Sequence, residues 1–228
     1  MIELKNLTKT YRLGKTLHHA VHNVSLTLEK GQILGLVGPS GSGKSTLGKL
    51  LLRLIPPTSG QILLDGREIT HSPPLPHRMQ MVFQDPSTSL NPRMTVYDIL
   101  SEPTHIHNLP NRTYELLDAV RLPRTATSRY PHEFSGGERQ RIGIARALAL
   151  QPSLLILDEP LSALDLSTQA QIVNLLLRLH KELHLTYLFI SHDLPMVQYL
   201  ATRILHMDHG QAFEYRDSAL KSTKIHIY

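Results

Sequence analysis

The chain has 228 residues, 41% of them hydrophobic and 19% charged, with a net charge of +5 and no cysteine. That length supports a core of α/β size, and the lack of cysteine excludes a disulfide framework, thiol chemistry and a cysteine zinc site. The modest positive charge comes without a basic block or aromatic–basic interleaving, so it argues for solubility over nucleic acid, and no apolar run approaches the roughly 18–20 residues needed to span a bilayer.

The first residues alternate like a strand, and no basic-then-apolar leader is expected ahead of them. Residues 2–7 and 21–28 read as half-buried strands, with EKGQ (29–32) as the turn into the next element. Between the two strands His18, His19 and His22 form the densest group of the 14 histidines, but no carboxylate or further histidine is spaced to complete a metal site. ILGLV (33–37) is continuously apolar, as a strand buried on both faces of a parallel sheet should be. It leads into GPSGSGKST (38–46) and a helix, LGKLLLRLI, that Pro56 and Pro57 are expected to end. GQILLDGREI (60–69) predicts a hairpin turning at Asp65-Gly66, and MQMVF (79–83) a short strand.

From about residue 86 to 134 prolines, asparagines and short helical stretches predict a small helical subdomain inserted in the α/β core. Strand–helix alternation then resumes: a helix over 137–150, a buried strand LLIL (154–157), a long amphipathic helix over 168–183 and a strand TYLFI (186–190). RILHM (203–207), a DHGQ turn and a last short strand close the pattern, which predicts one domain over 1–228 without internal repeats.

The loop 38–46 fits G-x-x-x-x-G-K-[ST]. Gly38, Gly41 and Gly43, with Pro39, Ser40 and Ser42 between them, let backbone N–H groups curl around a phosphate, and the following helix points its positive dipole end at the same anion. Lys44 can reach the terminal phosphates, the Ser45 hydroxyl can ligate Mg²⁺, and Thr46 completes the loop. LLILDEP (154–160) delivers Asp158 to the carboxyl end of a buried strand, where open α/β sheets bind ligands, and Asp158 would hold Mg²⁺ through water. Glu159 can orient or deprotonate an attacking water. EFSGGERQRIGIARAL (133–148) adds a second anion site: Ser135 and two glycines at a helix start.

Residues 38–46, 135–141, 154–165 and 191–193 together resemble the nucleotide-binding subunit of an ABC transporter, in the family's order and over nearly the whole chain. The resemblance implies the ABC ATPase cassette: a P-loop NTPase core, an N-terminal antiparallel β subdomain and the helical insertion. It also implies ATP and Mg²⁺ as ligands, and a head-to-tail dimer in which Ser135, Gly136, Gly137 and Glu138 serve the γ-phosphate bound by the opposite subunit. Carried over by motif, Tyr11 would stack on adenine and Gln84 would meet Mg²⁺ and the lytic water. Asp165 would lie on the loop crossing the dimer interface, and His192 would contact the γ-phosphate. One position departs: the signature has Phe134 and Glu138 where the commonest form has Leu and Gln, and Glu138 adds a negative charge near a polyanion that Arg139 or Arg141 can offset.

QDPSTSLNPRMTV (84–96), the signature region and EPLSALD (159–165) are similar to the peptide, nickel and metallophore importers. That likeness implies a peripheral subunit on the cytoplasmic face of the inner membrane, powering uptake of an oligopeptide, a dipeptide or a nickel or metal chelate. Its partners would be a second ATPase subunit (a copy or a paralogue), transmembrane permeases and, through them, an extracytoplasmic solute-binding protein, with no nucleic acid. The alternative is a soluble ABC ATPase acting on DNA or ribosomes; its usual coiled-coil insertions and zinc modules are not visible here.

Overall fold

The computed structural model describes residues 1–14, 16–85 and 89–215. It opens on two antiparallel strands, β1 (Ile2–Leu13) and β2 (Thr16–Leu28), paired from Ile2 opposite Leu28 to Leu13 opposite Thr16. Both are longer than the apolar alternation predicts. The outer half of the ribbon is polar and only partly covered, so it is held by backbone pairing, which leaves no hydrophobic trace in the sequence.

β3 (Ile33–Val37) runs through the loop 38–43 into α1 (Lys44–Leu51). This helix stops well before the prolines expected to end it. Arg53 takes a left-handed φ of 58°, with Arg53 N–H donating to Leu50 O and Leu54 N–H to Lys49 O, so a Schellman-type cap ends the helix first. β4 (Ser59–Leu64) turns through Asp65 and Gly66, both at positive φ (50° and 78°), into β5 (Arg67–Glu68), as the Asp-Gly pair predicts.

β6 (Met79–Val82) is followed by α2 (Val96–Ile106), α3 (Thr113–Ala119) and two 3₁₀ turns, Arg124–Ser128 and Pro131–Glu133. Thr95 caps α2 through a reciprocal pair of hydrogen bonds with Asp98. α4 (Gly136–Leu148) is capped in the same way by Ser135 and Glu138, which starts it one residue earlier than predicted. β7 (Leu154–Asp158), α5 (Leu166–Leu183), β8 (Thr186–Ser191), α6 (Leu194–Leu200), β9 (Arg203–Asp208) and β10 (Gln211–Glu214) complete the described chain. The pattern above does not predict α6; its signal is Asp193, which accepts from Met196 N–H, followed by proline in the first turn.

The strands form two sheets: an antiparallel one in the order β2-β1-β4-β5, and a second in the order β10-β9-β3-β8-β7-β6, parallel except for β10. The apolar runs of β3, β7 and β8 reflect burial on both faces. Leu34, Ile156 and Leu188 pack toward the antiparallel sheet and α1, while Ile33, Leu155 and Phe189 join a core with α2–α6. At Gly35 an added Cβ would lie 2.2 Å from Val197 Cγ1, so this glycine lets α6 close down on β3. Among the described residues no helix is long and apolar enough to cross a membrane.

Candidate functional site

The site sits where β3, β6, β7 and β8 end, at the carboxyl edge of the parallel sheet. The loop after β3 is shaped by backbone that side chains would obstruct. A Cβ on Gly38 would meet Met207 O at 2.0 Å, and one on Gly43 would meet Ala20 O at 1.9 Å, both at positive φ. Lys44 opens α1 and folds its Nζ back over the loop, donating to Gly38 O and Pro39 O at 2.8 Å each. Burial pulls the Lys44 pKa below the ordinary lysine value, against the opposing pull of Glu159 and Asp158. Ser42 Oγ is buried inside the loop without a hydrogen-bond partner among the described residues.

The next residue, Ser45, donates its hydroxyl to Asp158 Oδ1 at 2.9 Å. This bond joins the helix after β3 to the end of β7 and sets a hydroxyl beside a carboxylate. Burial raises the Asp158 carboxyl pKa, and neighbouring Glu159 pushes the same way; the Ser45 hydroxyl and the ammonium groups of Lys49 and Lys44 oppose it. Hard oxygens such as these suit Mg²⁺, and the Gln84 amide lines the same cleft, so the donor set fits that ion.

Glu159 leaves β7 with a left-handed φ of 47°, fixed by its N–H donating to Ile190 O at 2.9 Å. A strained backbone at a strand end is a common mark of a working residue. Its carboxylate Oε2 accepts from His192 Nδ1 at 2.9 Å, so the residue after β8 orients the acid after β7. The Glu159 side chain is mostly buried, and His192 is the exposed partner.

An open cleft of ≈ 580 Å³ collects these groups, with Ser40, Gly41, Gly43, Lys44, Ser45 and Thr46 on one wall and Gln84, Glu159 and His192 on another. Tyr11, from the exposed end of β1, lines it too, with Lys9 Nζ 5.2 Å from its ring centroid. His18 lines the cleft as well, a position the sequence weighed only as a metal ligand. Its place follows from the register that pairs it with Tyr11, which residue types alone do not reveal.

Ser135, Gly136, Gly137, Glu138 and Asp165 are not brought to that cleft; they lie together at the starts of α4 and α5. Glu138 Oε2 accepts from both the N–H and the hydroxyl of Ser135 at 2.8 Å. These two bonds hold its carboxyl pKa below the usual range, with Arg129 and Arg141 adding attraction from farther off. Of the two arginines expected to offset this charge Arg141 contributes and Arg139 does not, and Ser135 supplies the main offset. Arg139 Nε is buried without a partner among the described residues, and Arg141 donates to Val120 O and Gln171 Oε1. Asp165 caps α5, accepting from Thr168 N–H at 3.0 Å, Thr168 Oγ1 at 2.6 Å and Ser167 Oγ at 2.8 Å, which together hold its carboxyl far below the usual range. A Cβ on Gly137 would lie 2.4 Å from Thr168 Cγ2, so the signature glycine is also where α4 and α5 abut.

Comparison with known proteins agrees with this geometry. The family profile described as ABC transporter matches residues 21–162. The oligopeptide transport ATP-binding protein OppF of Bacillus subtilis is 48% identical over 94% of this chain and 74% of its own length. The oligopeptide transport ATP-binding protein AppF of the same organism is 46% identical over 94% of this chain and 71% of its own length. Among solved structures, the post-hydrolysis dimer of the ATP-binding cassette MJ0796 with ADP and Pi superposes with a TM-score of 0.83 at 30% identity, covering 95% of this chain and all of that one. CbiO1 of Clostridium perfringens, part of the ABC transporter complex cbiONQ, gives a TM-score of 0.82 at 28% identity, covering 93% of this chain and 86% of its own. The chain belongs to the ABC transporter family and is its ATP-binding, ATP-hydrolysing cassette.

Proposed function

We propose that this ATPase works at the cytoplasmic face of a membrane as one of two cassettes driving a peptide importer. Its substrate would be an oligopeptide or dipeptide handed to transmembrane permeases by a solute-binding protein. The observation that carries the reading is the assembly of Lys44, Ser45, Glu159 and His192 on one cleft, with Asp158 bonded to Ser45 behind it, in a chain 48% identical to an oligopeptide transport ATP-binding protein.

In this reading Tyr11 stacks on the adenine, and the loop N–H groups and Lys44 hold the phosphates. Ser45, Asp158 and Gln84 are the residues that would hold Mg²⁺, whose charge, when bound, offsets that of the β- and γ-phosphates. Glu159, oriented by His192, takes a proton from water as its oxygen bonds to the γ-phosphorus; the bond to the bridging oxygen breaks and ADP keeps that electron pair. Ser135, Gly136, Gly137 and Glu138 complete the site of a second subunit packed head to tail, with Asp165 on the loop between them. The whole chain acts as one domain, and the segment 86–134 (of which residues 86–88 lie outside the described residues) docks on the permeases, with Gln84 as its hinge.

Affinity purification from gently solubilised native membranes tests this. Recovery of two multi-span permeases by mass spectrometry, with or without a paralogous cassette, is the expected result. Recovery of ribosomes or DNA-repair proteins in their place would overturn it.

A further inference from the structure

We infer that His18 is a nucleotide-positioning residue, donating a hydrogen bond to the ribose or α-phosphate of bound ATP; this rests on the reading of the cleft as the ATP site. β1 and β2 pair with Tyr11 directly opposite His18 and Thr10 opposite His19. Side chains alternate between the faces of a strand, so Tyr11 and His18 share one face while Thr10 and His19 share the other. The two histidines are correspondingly engaged in different ways. His19 Nδ1 lies 3.0 Å from Thr10 Oγ1, whereas His18 has no hydrogen-bond or ion-pair partner among the described residues and lines the cleft.

Its place within the cleft selects the part of the nucleotide it meets. His18, Ser40 and Gly41 also line a neighbouring recess of ≈ 380 Å³ together with His19, Pro39 and Ser42, so His18 shares both hollows with the start of the phosphate loop. Tyr11 offers a flat base a ring to stack on, and Ser40 and Gly41 in the same lining belong to the loop that cradles phosphates. The stretch of a nucleotide between base and β-phosphate is ribose and α-phosphate, which offer hydroxyl and phosphoryl oxygens to an N–H donor. Imidazole meets that need from an exposed ribbon without a buried charge.

Titration calorimetry of MgADP into the purified protein tests the assignment, alongside steady-state ATPase kinetics. His18→Ala is expected to raise Kd for MgADP and KM for ATP by about three- to tenfold, with kcat within about twofold of the unmodified protein. His18→Asn, which keeps a donor, is expected to recover most of the lost affinity. An unchanged Kd in His18→Ala, beside a weakened Tyr11→Ala, would overturn the role of His18 and leave the cleft reading standing. Unchanged affinity in His18→Ala, Tyr11→Ala and Lys44→Ala alike would overturn the cleft reading itself.

Discussion

Asp158 carries a cost that its proposed role at Mg²⁺ would explain. Its carboxyl pKa is raised, chiefly by burial, so the folded chain binds that proton more tightly than the unfolded chain does. A raised value favours the folded state at low pH, and this advantage is lost as pH rises through the folded pKa. At neutral pH the ionised, desolvated carboxylate therefore opposes folding. Asp158→Asn, measured without nucleotide or Mg²⁺, is expected to raise Tm at pH 7.5 by a few degrees, with the gain shrinking as pH is lowered, while ATP hydrolysis is lost. A lower Tm at pH 7.5 would show that the Ser45 bond outweighs burial. Glu138 is the converse case. Its charge is already satisfied by the Ser135 N–H and hydroxyl, so Glu138→Gln should change ATPase turnover by less than about tenfold, roughly 1.4 kcal/mol. A larger change in a steady-state assay would mean that the charge itself matters to closure.

At the scale of elements, the starts of α4 and α5 form one coupled unit. Asp165 holds Thr168 by its N–H and hydroxyl, and the Thr168 methyl occupies the space a side chain on Gly137 would need. The signature glycine thus has a packing duty separate from any phosphate it serves. Gly137→Ala must move a threonine already fixed by a cap, so a stability loss of about 1–3 kcal/mol is expected in urea unfolding at unchanged m-value. An unchanged midpoint would show that α5 shifts freely.

For the whole molecule, the separation of the signature residues from the cleft is what the proposed pairing of two cassettes accounts for. One chain offers a phosphate loop with its acid and, elsewhere, a capped helix start suited to an anion. In the head-to-tail pair proposed above each would meet the other, and a γ-phosphate between them would make closure depend on ATP. Glu159→Gln should reduce turnover by at least about a hundredfold and keep ATP binding, so that a dimer accumulates with ATP on size-exclusion chromatography. Normal turnover would remove Glu159 from its assigned role, and a monomer that binds ATP without pairing would remove the head-to-tail arrangement.

The sequence by itself determined the phosphate loop, the Asp158–Glu159 pair, the order of strands and of the helices other than α6, and the helix start at Ser135. Each of these is local: a glycine pattern, a buried run ending in acid, or a cap within four residues records its own cause in consecutive residues. Tertiary structure alone decided the rest. It bonded Ser45 to Asp158 and His192 to Glu159 across 113 and 33 residues of chain. It extended β1 and β2 into a polar ribbon whose pairing sets His18 beside Tyr11. It also set Gly137 against Thr168. Contacts between distant segments depend on register and on how helices settle onto a sheet, and backbone pairing between polar strands has no residue type of its own to announce it.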